Sequence, residues 1–396
     1  MAVHNEMESS ALPRRPARPA RLVGLCIVAL AVVLAGVVIV SRFMTPTSML
    51  VAGYSHNCLM FSDGTVSCWG DPPTFGHDEE NGKTTPVVIS GLADAAFVSA
   101  NTNTCAVHAD GAVSCWGPSY SEVSSGGTRT QLTPTPLPGV AGAVKIALGV
   151  AHACVVSDEA SVSCWGLNEY GQLGDGTTDA HAVTDIATSV PVQGATKVTA
   201  ISAGSSHTCV VGKDRSVRCW GYNNNGQLGD GTNTNRATAA PVASLPPVSA
   251  VSAGAWHTCA LLNDRTVRCW GSNEAGQLGN GTTWSSSTGL PVVGLASVRA
   301  IAAGAGHTCA IQKDRTVVCW GNNEYGQLGN GTTTDSTVPV QVENLTGAVD
   351  IVAGASHTCA ALRDHTVVCW GANGAGQLGT GTNTSSLVPV EVSALR

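Results

Sequence analysis

The chain has 396 residues, with 46 Gly, 18 Pro and 15 Cys; only 12% of it is charged and 5% aromatic. A hydrophobic content of 43% excludes a disordered chain. A formal net charge of −7 argues against a nucleic-acid binder, which needs clustered Lys and Arg to neutralise phosphates, and dense Gly disfavours a helical bundle because Gly weakens helix interiors. What remains is a Gly-rich β protein with many turns, in an oxidising compartment.

The N-terminus is a separate object. Residues 1–21 are polar, with Pro13, Pro16 and Pro19 set among Arg14, Arg15, Arg18 and Arg21. Residues 22–40, from Leu22 to Val40, run 19 positions without a charged or strongly polar side chain, enough to cross a bilayer as a helix. Four Arg precede the run and Arg42 follows it, so the positive-inside rule puts the tail in the cytoplasm and the rest of the chain outside it. A cleaved signal would carry a shorter apolar run and a small-x-small site. Residues 22–40 are therefore expected to be an uncleaved transmembrane anchor holding Cys26 as a buried thiol, with 41–48 as linker. Beyond residue 48 the balance is 15 Lys and Arg against 25 Asp and Glu, which further weakens a nucleic-acid reading.

From residue 49 to 396 the chain repeats one unit seven times, starting at about 49, 97, 146, 200, 250, 300 and 350. The first Cys of each unit is Cys58, Cys105, Cys154, Cys209, Cys259, Cys309 or Cys359. The second follows ten positions later, at Cys68, Cys115, Cys164, Cys219, Cys269, Cys319 or Cys369, and a Trp-Gly pair comes next every time. The unit reads as strands: a short apolar run through His-Thr-Cys, a turn at Asp63-Gly64 or Asp110-Gly111, then Thr-Val-x-Cys-Trp. A later Pro-Val pair opens another β-branched run, as in Val338-Pro339-Val340. About 50 residues per all-β unit, seven times, fits a seven-bladed β-propeller.

The cysteine spacing has a geometric reason. If Ser62-Asp63-Gly64 is a three-residue hairpin loop, Phe61 opposes Thr65, and counting outward sets Cys58 opposite Cys68 at disulfide range. The same count gives one disulfide within each blade. Arg215, Arg265, Arg315 and His365 stand where Gly64 stands, so their loops are expected to take different backbone angles. The rival reading of His-x-Cys…Cys is a zinc site, since His257, Cys259 and Cys269 would share one face. Unit two keeps both Cys with Asn103 in the His place, so the pairing does not require the His; no metal or cofactor is expected. The repeated His is read as a structural hydrogen-bonding residue. The repeated Trp is read as inter-blade packing with its N–H on a carbonyl, and the repeated Gln-Leu as a core Leu beside a turn-bracing amide.

Ala-Gly-x-x-His-Thr followed by Val-x-x-Trp-Gly-x-Asn-x-x-Gly-Gln-Leu-Gly resembles the regulator of chromosome condensation repeat family, over about residues 49–396. Gly-Gln-Leu-Gly stands at 171–174, 226–229, 276–279, 326–329 and 376–379. The resemblance implies a seven-bladed propeller but no single activity: members act as exchange factors for a small GTPase, chromatin binders, adaptors or secreted bacterial inhibitors of β-lactamase. This chain departs from the family in its paired Cys. Units one and two lack Gly-Gln-Leu-Gly, and unit three carries an excess at about Thr178–Ser189. Ring closure is expected from the last Pro-Val run, residues 388–392, joining the first blade.

These features point to a membrane-tethered, extracytoplasmic propeller, periplasmic or at the cell surface, that binds a protein or cell-envelope glycan as a monomer. Fifteen Arg against five Lys suggest a GC-rich bacterial genome. Candidate contact residues are those that break the repeat: Phe75 and His77 in unit one; Tyr120, Glu122 and Arg129 in unit two; Asp179 and His181 in unit three; and Trp256 and Trp284, which lie outside the Trp register. The alternative is a hydrolase assembled from Glu79, Glu80 and His77 or from Asp179 and His181, although no catalytic motif is present. A GTPase exchange factor is a further alternative, disfavoured by the topology and the cysteines.

Overall fold

The computed structural model describes residues 48–72, 83–118, 130–179 and 189–395. Among these, 28 strands form seven four-stranded antiparallel sheets, each made of consecutive strands. The first blade is β1 (Met49–Ala52), β2 (His56–Met60), β3 (Val66–Gly70) and β4 (Lys83–Val88). The seventh is β25 (Ala348–Ala353), β26 (His357–Leu362), β27 (Val367–Gly371) and β28 (Ser386–Glu391). The first strand of every blade lines a central channel of about 330 Å³, and each touches the next around the ring, β25 meeting β1. The chain is thus a seven-bladed propeller. No helix among the described residues is long and apolar enough to cross a membrane, and residues 22–40 lie outside them.

The cysteine geometry follows the hairpin count. Cys58 faces Cys68 in the ladder, the Phe61 amide bonds the Thr65 carbonyl at 2.8 Å, and Gly64 takes φ +77°. All seven pairs are disulfides, with Cα atoms 4.0–4.1 Å apart. The expected difference in later loops is not found. Arg215, Arg265, Arg315 and His365 take φ of 67°, 68°, 69° and 71°, the same left-handed turn without glycine. A three-residue loop that pairs two fixed strands leaves its last residue no other conformation, so the side chain bears a cost of about 1–2 kcal/mol.

Ring closure also differs from expectation. β28 pairs with β27 of its own blade, Cys369 opposite Val390, rather than crossing to the first. The first blade already owns its Pro-Val strand, with Cys68 opposite Val87 in β4. In each blade the fourth strand runs back along the free edge of the third, the nearest unpaired ladder. The seam between blades seven and one is closed by side chains and turns instead. Leu50, Leu59 and Trp69 pack with Cys359, Cys369, Leu378 and Val392 in one buried cluster.

The other inter-blade cores are built alike. The disulfide face of one blade meets the Trp of the next: Cys309, Cys319, Leu328 and Val342 pack against Ile351 and Trp370. Sulfur bridges packed on the indoles here supply bulk in a chain with only 18 aromatic residues in 396.

Candidate functional site

The repeat motif is first a device for joining blades. Trp220, Trp270, Trp320 and Trp370 donate Nε1–H to the carbonyls of Gln172, Gln227, Gln277 and Gln327 in the preceding blade, each at 2.9 Å. Trp69 does the same to Gln377 across the seam at 3.1 Å. Thr258, Thr308 and Thr358 donate to those same Gln carbonyls and receive the Nε2 of His207, His257 and His307. The Gln side chains brace their turns: Gln227 Oε1 accepts the Asn225 amide at 3.0 Å. Trp116 follows a blade with no Gln-Leu turn, and its Nε1 is buried without a hydrogen-bond partner among the described residues.

Burial lowers the pKa of His56, His207, His257 and His357 to about 3 and of His152 and His307 to about 4. They are neutral and enclosed. Among the described residues the channel lining is mostly small, aliphatic or backbone, with Ser99, Ser202, Ser252, Ala302, Val352 and a ring of Gly, and with Phe97, Asn101 and Tyr54 as its larger or amide side chains. These groups offer no acid–base pair to a substrate in the channel.

Because each blade is an up-and-down meander, its 1–2 turn and its 3–4 loop emerge on one face, and its 2–3 hairpin emerges on the other. The 1–2 turns link in a circle around the channel mouth. The amides of Tyr54, Val150, Ser205, Ala255, Ala305 and Ala355 reach the carbonyls of Asn101, Ser205, Ala255, Gly304, Gly354 and Tyr54 at 2.8–3.3 Å. Between blades two and three the Thr102 hydroxyl supplies the link, to the Val150 carbonyl at 2.9 Å. A rigid rim of this kind fixes the loops around it.

On that rim lies an aromatic row. The Tyr170 and Tyr222 rings meet edge to face at 4.9 Å between centroids, and Tyr222 meets Trp256 likewise at 5.3 Å. The row crosses blades three, four and five. Trp256 is 40% exposed and Tyr170 36%, so three large rings form one continuous accessible strip. Trp284 stands in the 3–4 loop of blade five, 81% exposed. The 3–4 loops of blades three to six, on the same face, carry Glu169, Asp175, Asp179, Asp230, Glu274, Glu324 and Asp335, with Arg236 ion-paired to Asp230 at 2.7 Å. Burial alone would raise the Asp230 carboxyl, but hydrogen bonds from Thr232 and Arg236 outweigh it and hold it below the usual range. The described part of this face is acidic and aromatic.

Of the residues singled out in the sequence, Trp256, Trp284 and Asp179 are placed, all on this face. Phe75, His77, Glu79, Glu80, Tyr120, Glu122, Arg129 and His181 lie outside the described residues. Tyr170 and Tyr222 went unnoticed in the sequence. Tyr222 had a signal: the residue after Trp-Gly is aromatic in that unit alone. Its neighbours in the row are 34 and 52 positions away in sequence and come together only through blade packing.

This architecture defines a repeat propeller with a rigid scaffold and one aromatic loop face. The chain belongs to the RCC1-like domain family, whose model matches residues 124–396; the model of the regulator of chromosome condensation (RCC1) repeat matches residues 50–76. It is similar to the ultraviolet-B receptor UVR8 of Arabidopsis thaliana, 29% identical over 202 residues, which is 48% of this chain and 45% of the receptor. Its fold is similar to the crystal structure of human WBSCR16, with a TM-score of 0.73 and 21% identity over 84% of this chain and 95% of that one. It also matches Prp20p from Saccharomyces cerevisiae, characterised for binding Gsp1p and histones, with a TM-score of 0.68 and 21% identity over 77% of this chain and 80% of that one.

Proposed function

We propose that the chain is a membrane-anchored, extracytoplasmic interaction module that binds a protein partner on the face carrying its 1–2 turns and 3–4 loops. The observation that carries this reading is the row Tyr170–Tyr222–Trp256. Three rings from successive blades, part exposed and mutually braced, lose little side-chain entropy when a partner covers them. The surrounding carboxylates favour a partner with a basic rim, which would speed encounter and set orientation. The topology rests on residues 22–40 and their flanking Arg. Seven disulfides support the same compartment, because paired thiols persist where the medium is oxidising. Membership of a family of interaction propellers supports the class of function, and the Gsp1p and histone binding of Prp20p is an instance of it.

A cell-envelope glycan is the second reading. The aromatic row favours it, since ring faces stack on sugar rings as they do on apolar side chains.

The test is capture from the native cell envelope with the full-length oxidised chain, against the double variant Tyr222→Ala, Trp256→Ala. A partner retained by the parent and lost by this variant, but kept by Lys213→Ala on the opposite face, supports the reading. Equal capture by all three overturns it. Purified envelope polysaccharide in the same assay separates the glycan reading from the protein one.

A further inference from the structure

The two faces of the propeller differ in charge. In blades four to seven the hairpin face holds Lys213, Arg215, Arg265, Lys313, Arg315 and Arg363 in its loops. Each of these hairpins also carries one carboxylate, Asp214, Asp264, Asp314 or Asp364. The Asp214 and Asp264 carboxyls lie below their usual range, first through hydrogen bonds from Ser216 and Thr266, and then through Arg218 and Arg268. Blades six and seven put Val318 and Val368 at those two arginine positions. Instead Arg299 enters on the innermost strand of blade six, at a position held by Thr199, Ser249 and Val349 in blades four, five and seven.

Three guanidinium-bearing residues then converge at one junction. Arg315 Nη1 donates to the Ala348 carbonyl at 3.3 Å, on the linker into blade seven. Arg299 Nε donates to the Lys313 carbonyl at 3.1 Å, and the Arg363 amide bonds the Gly347 carbonyl on the same linker at 3.1 Å. Partial burial and the charges of Arg363 and Arg299 press the Arg315 pKa below its ordinary value. Arg315 Nε is buried with no hydrogen-bond partner, and no carboxylate among the described residues closes an ion pair with any of the three. The nearby hairpin carboxylates are engaged: Asp314 accepts the Thr316 amide at 3.1 Å and its hydroxyl at 2.7 Å, and Asp364 accepts the Thr366 amide at 3.0 Å. The ground beside the linker is open, since a Cβ built on Gly347 would meet nothing within 4 Å.

We propose that Arg299, Arg315 and Arg363 form a binding site for a phosphate dianion at the junction of blades six and seven. Like charges held together without a counter-ion repel, and a multivalent anion removes the repulsion. A single carboxylate would leave most of the charge uncompensated. A phosphate presents several oxygens to planar guanidinium forks, whose fixed geometry suits bidentate contact. The same residues would hold a free phosphate and the phosphate of a lipid headgroup, and the two probes below separate these sources.

The test is isothermal titration of the full-length oxidised protein, in uncharged detergent at low ionic strength, with inorganic phosphate and separately with dioctanoyl phosphatidic acid below its micelle concentration. Saturable one-to-one binding is expected, weakened about ten-fold or more by Arg315→Gln and by Arg363→Gln. Arg265→Gln, on the same face in blade five, is expected to stay within about two-fold of the parent. Tighter binding of inorganic phosphate points to the free ion, and tighter binding of the lipid to a headgroup. Because Arg315 also holds Ala348, its variant is read beside Arg363→Gln and Arg299→Gln, with thermal melting as the check on folding. No saturable binding of either probe, or binding that the folded variants leave unchanged, overturns the proposal.

Discussion

His357 of the last blade stands 2.9 Å from Asn57 of the first, Nε2 to Oδ1, and this contact fixes the imidazole tautomer. Asn57 donates through Nδ2 to the Gln377 carbonyl at 2.7 Å, so its oxygen faces the ring and can only accept. His357 therefore carries its proton on Nε2. The same relay recurs with Thr elsewhere. Thr308 spends its hydroxyl proton on the Gln277 carbonyl at 3.0 Å, so His257 must be the donor to Thr308. The repeated histidine is a neutral donor that locks blade to blade at the junctions where it occurs, and Asn57 lets the seam use the same lock.

Acid should break that lock. These histidines titrate at about 3 to 4 when folded, against an ordinary 6.5, so between those values the unfolded chain binds more protons. Their contribution is fully present above about pH 6.5 and is lost as pH falls toward 4, with a slope of up to about 1.4 kcal/mol per pH unit for each residue. Melting of the full-length protein from pH 7 to pH 4 is expected to show a steep fall in Tm. In His307→Asn the fall should be shallower. Equal slopes would mean that this histidine is not the buried neutral group described.

The propeller, its seven disulfides and the role of Trp were legible because they repeat. A three-residue loop set Cys58 against Cys68 by counting alone, and the structure keeps that register. Two things were not legible. The left-handed angle at Arg265 violates residue preference, and only the fixed pairing on either side of the loop enforces it. The partner of the final Pro-Val strand depends on which sheet edge lies nearest after the turn, and repeat phase cannot decide that. The aromatic row was half visible: Trp256 broke the register, while Tyr170 and Tyr222 became part of a surface only when successive blades brought them together.

The disulfides should be inaccessible as well as stabilising. Cys309 and Cys319 are fully buried beneath Trp370, and so are their counterparts in blades four, five and seven. Alkylation of the native protein in the presence of a mild reductant is expected to label none of these positions until denaturant is added. Replacing Cys309 and Cys319 by Ala should cost about 2–3 kcal/mol from loop entropy, plus the void left under the indole. Mass spectrometry of the alkylated chain and the shift in Tm report the two effects separately.

The Gly of Ala-Gly-x-x-His has a packing reason that substitution can expose. A Cβ on Gly304 would lie 2.4 Å from the His307 ring and 2.5 Å from the Gly354 carbonyl of the next blade. Gly304→Ala should therefore force blades six and seven apart and cost about 3 kcal/mol or more. Gly281→Ala is the comparison. Its φ of 81° is strained for Ala, but nothing lies within 4 Å, so about 1–2 kcal/mol is expected. Urea midpoints that rank these two variants the other way would contradict the described contact at Gly304.

The junction of blades two and three shows how the lock can be given up. Blade two has Asn103 in the histidine place, and blade three has Ala153 where the other blades carry Thr or Asn. Both halves of the pair are changed together, so the imidazole N–H and the hydroxyl that receives it are absent from the same junction. Copying this junction between blades six and seven makes a measurable cycle. Thr358→Ala alone strands the Nε2 proton of His307 in a dry interface and should cost about 1–3 kcal/mol. His307→Asn alone replaces the imidazole Nε2–H with a shorter amide, as in blade two, while Thr358 keeps its bond to the Gln327 carbonyl at 2.9 Å. The double variant should be more stable than the sum of the two losses by about 1 kcal/mol or more, because the second change removes the orphan that the first creates. Strict additivity in thermal midpoints would mean that these side chains do not act as a pair.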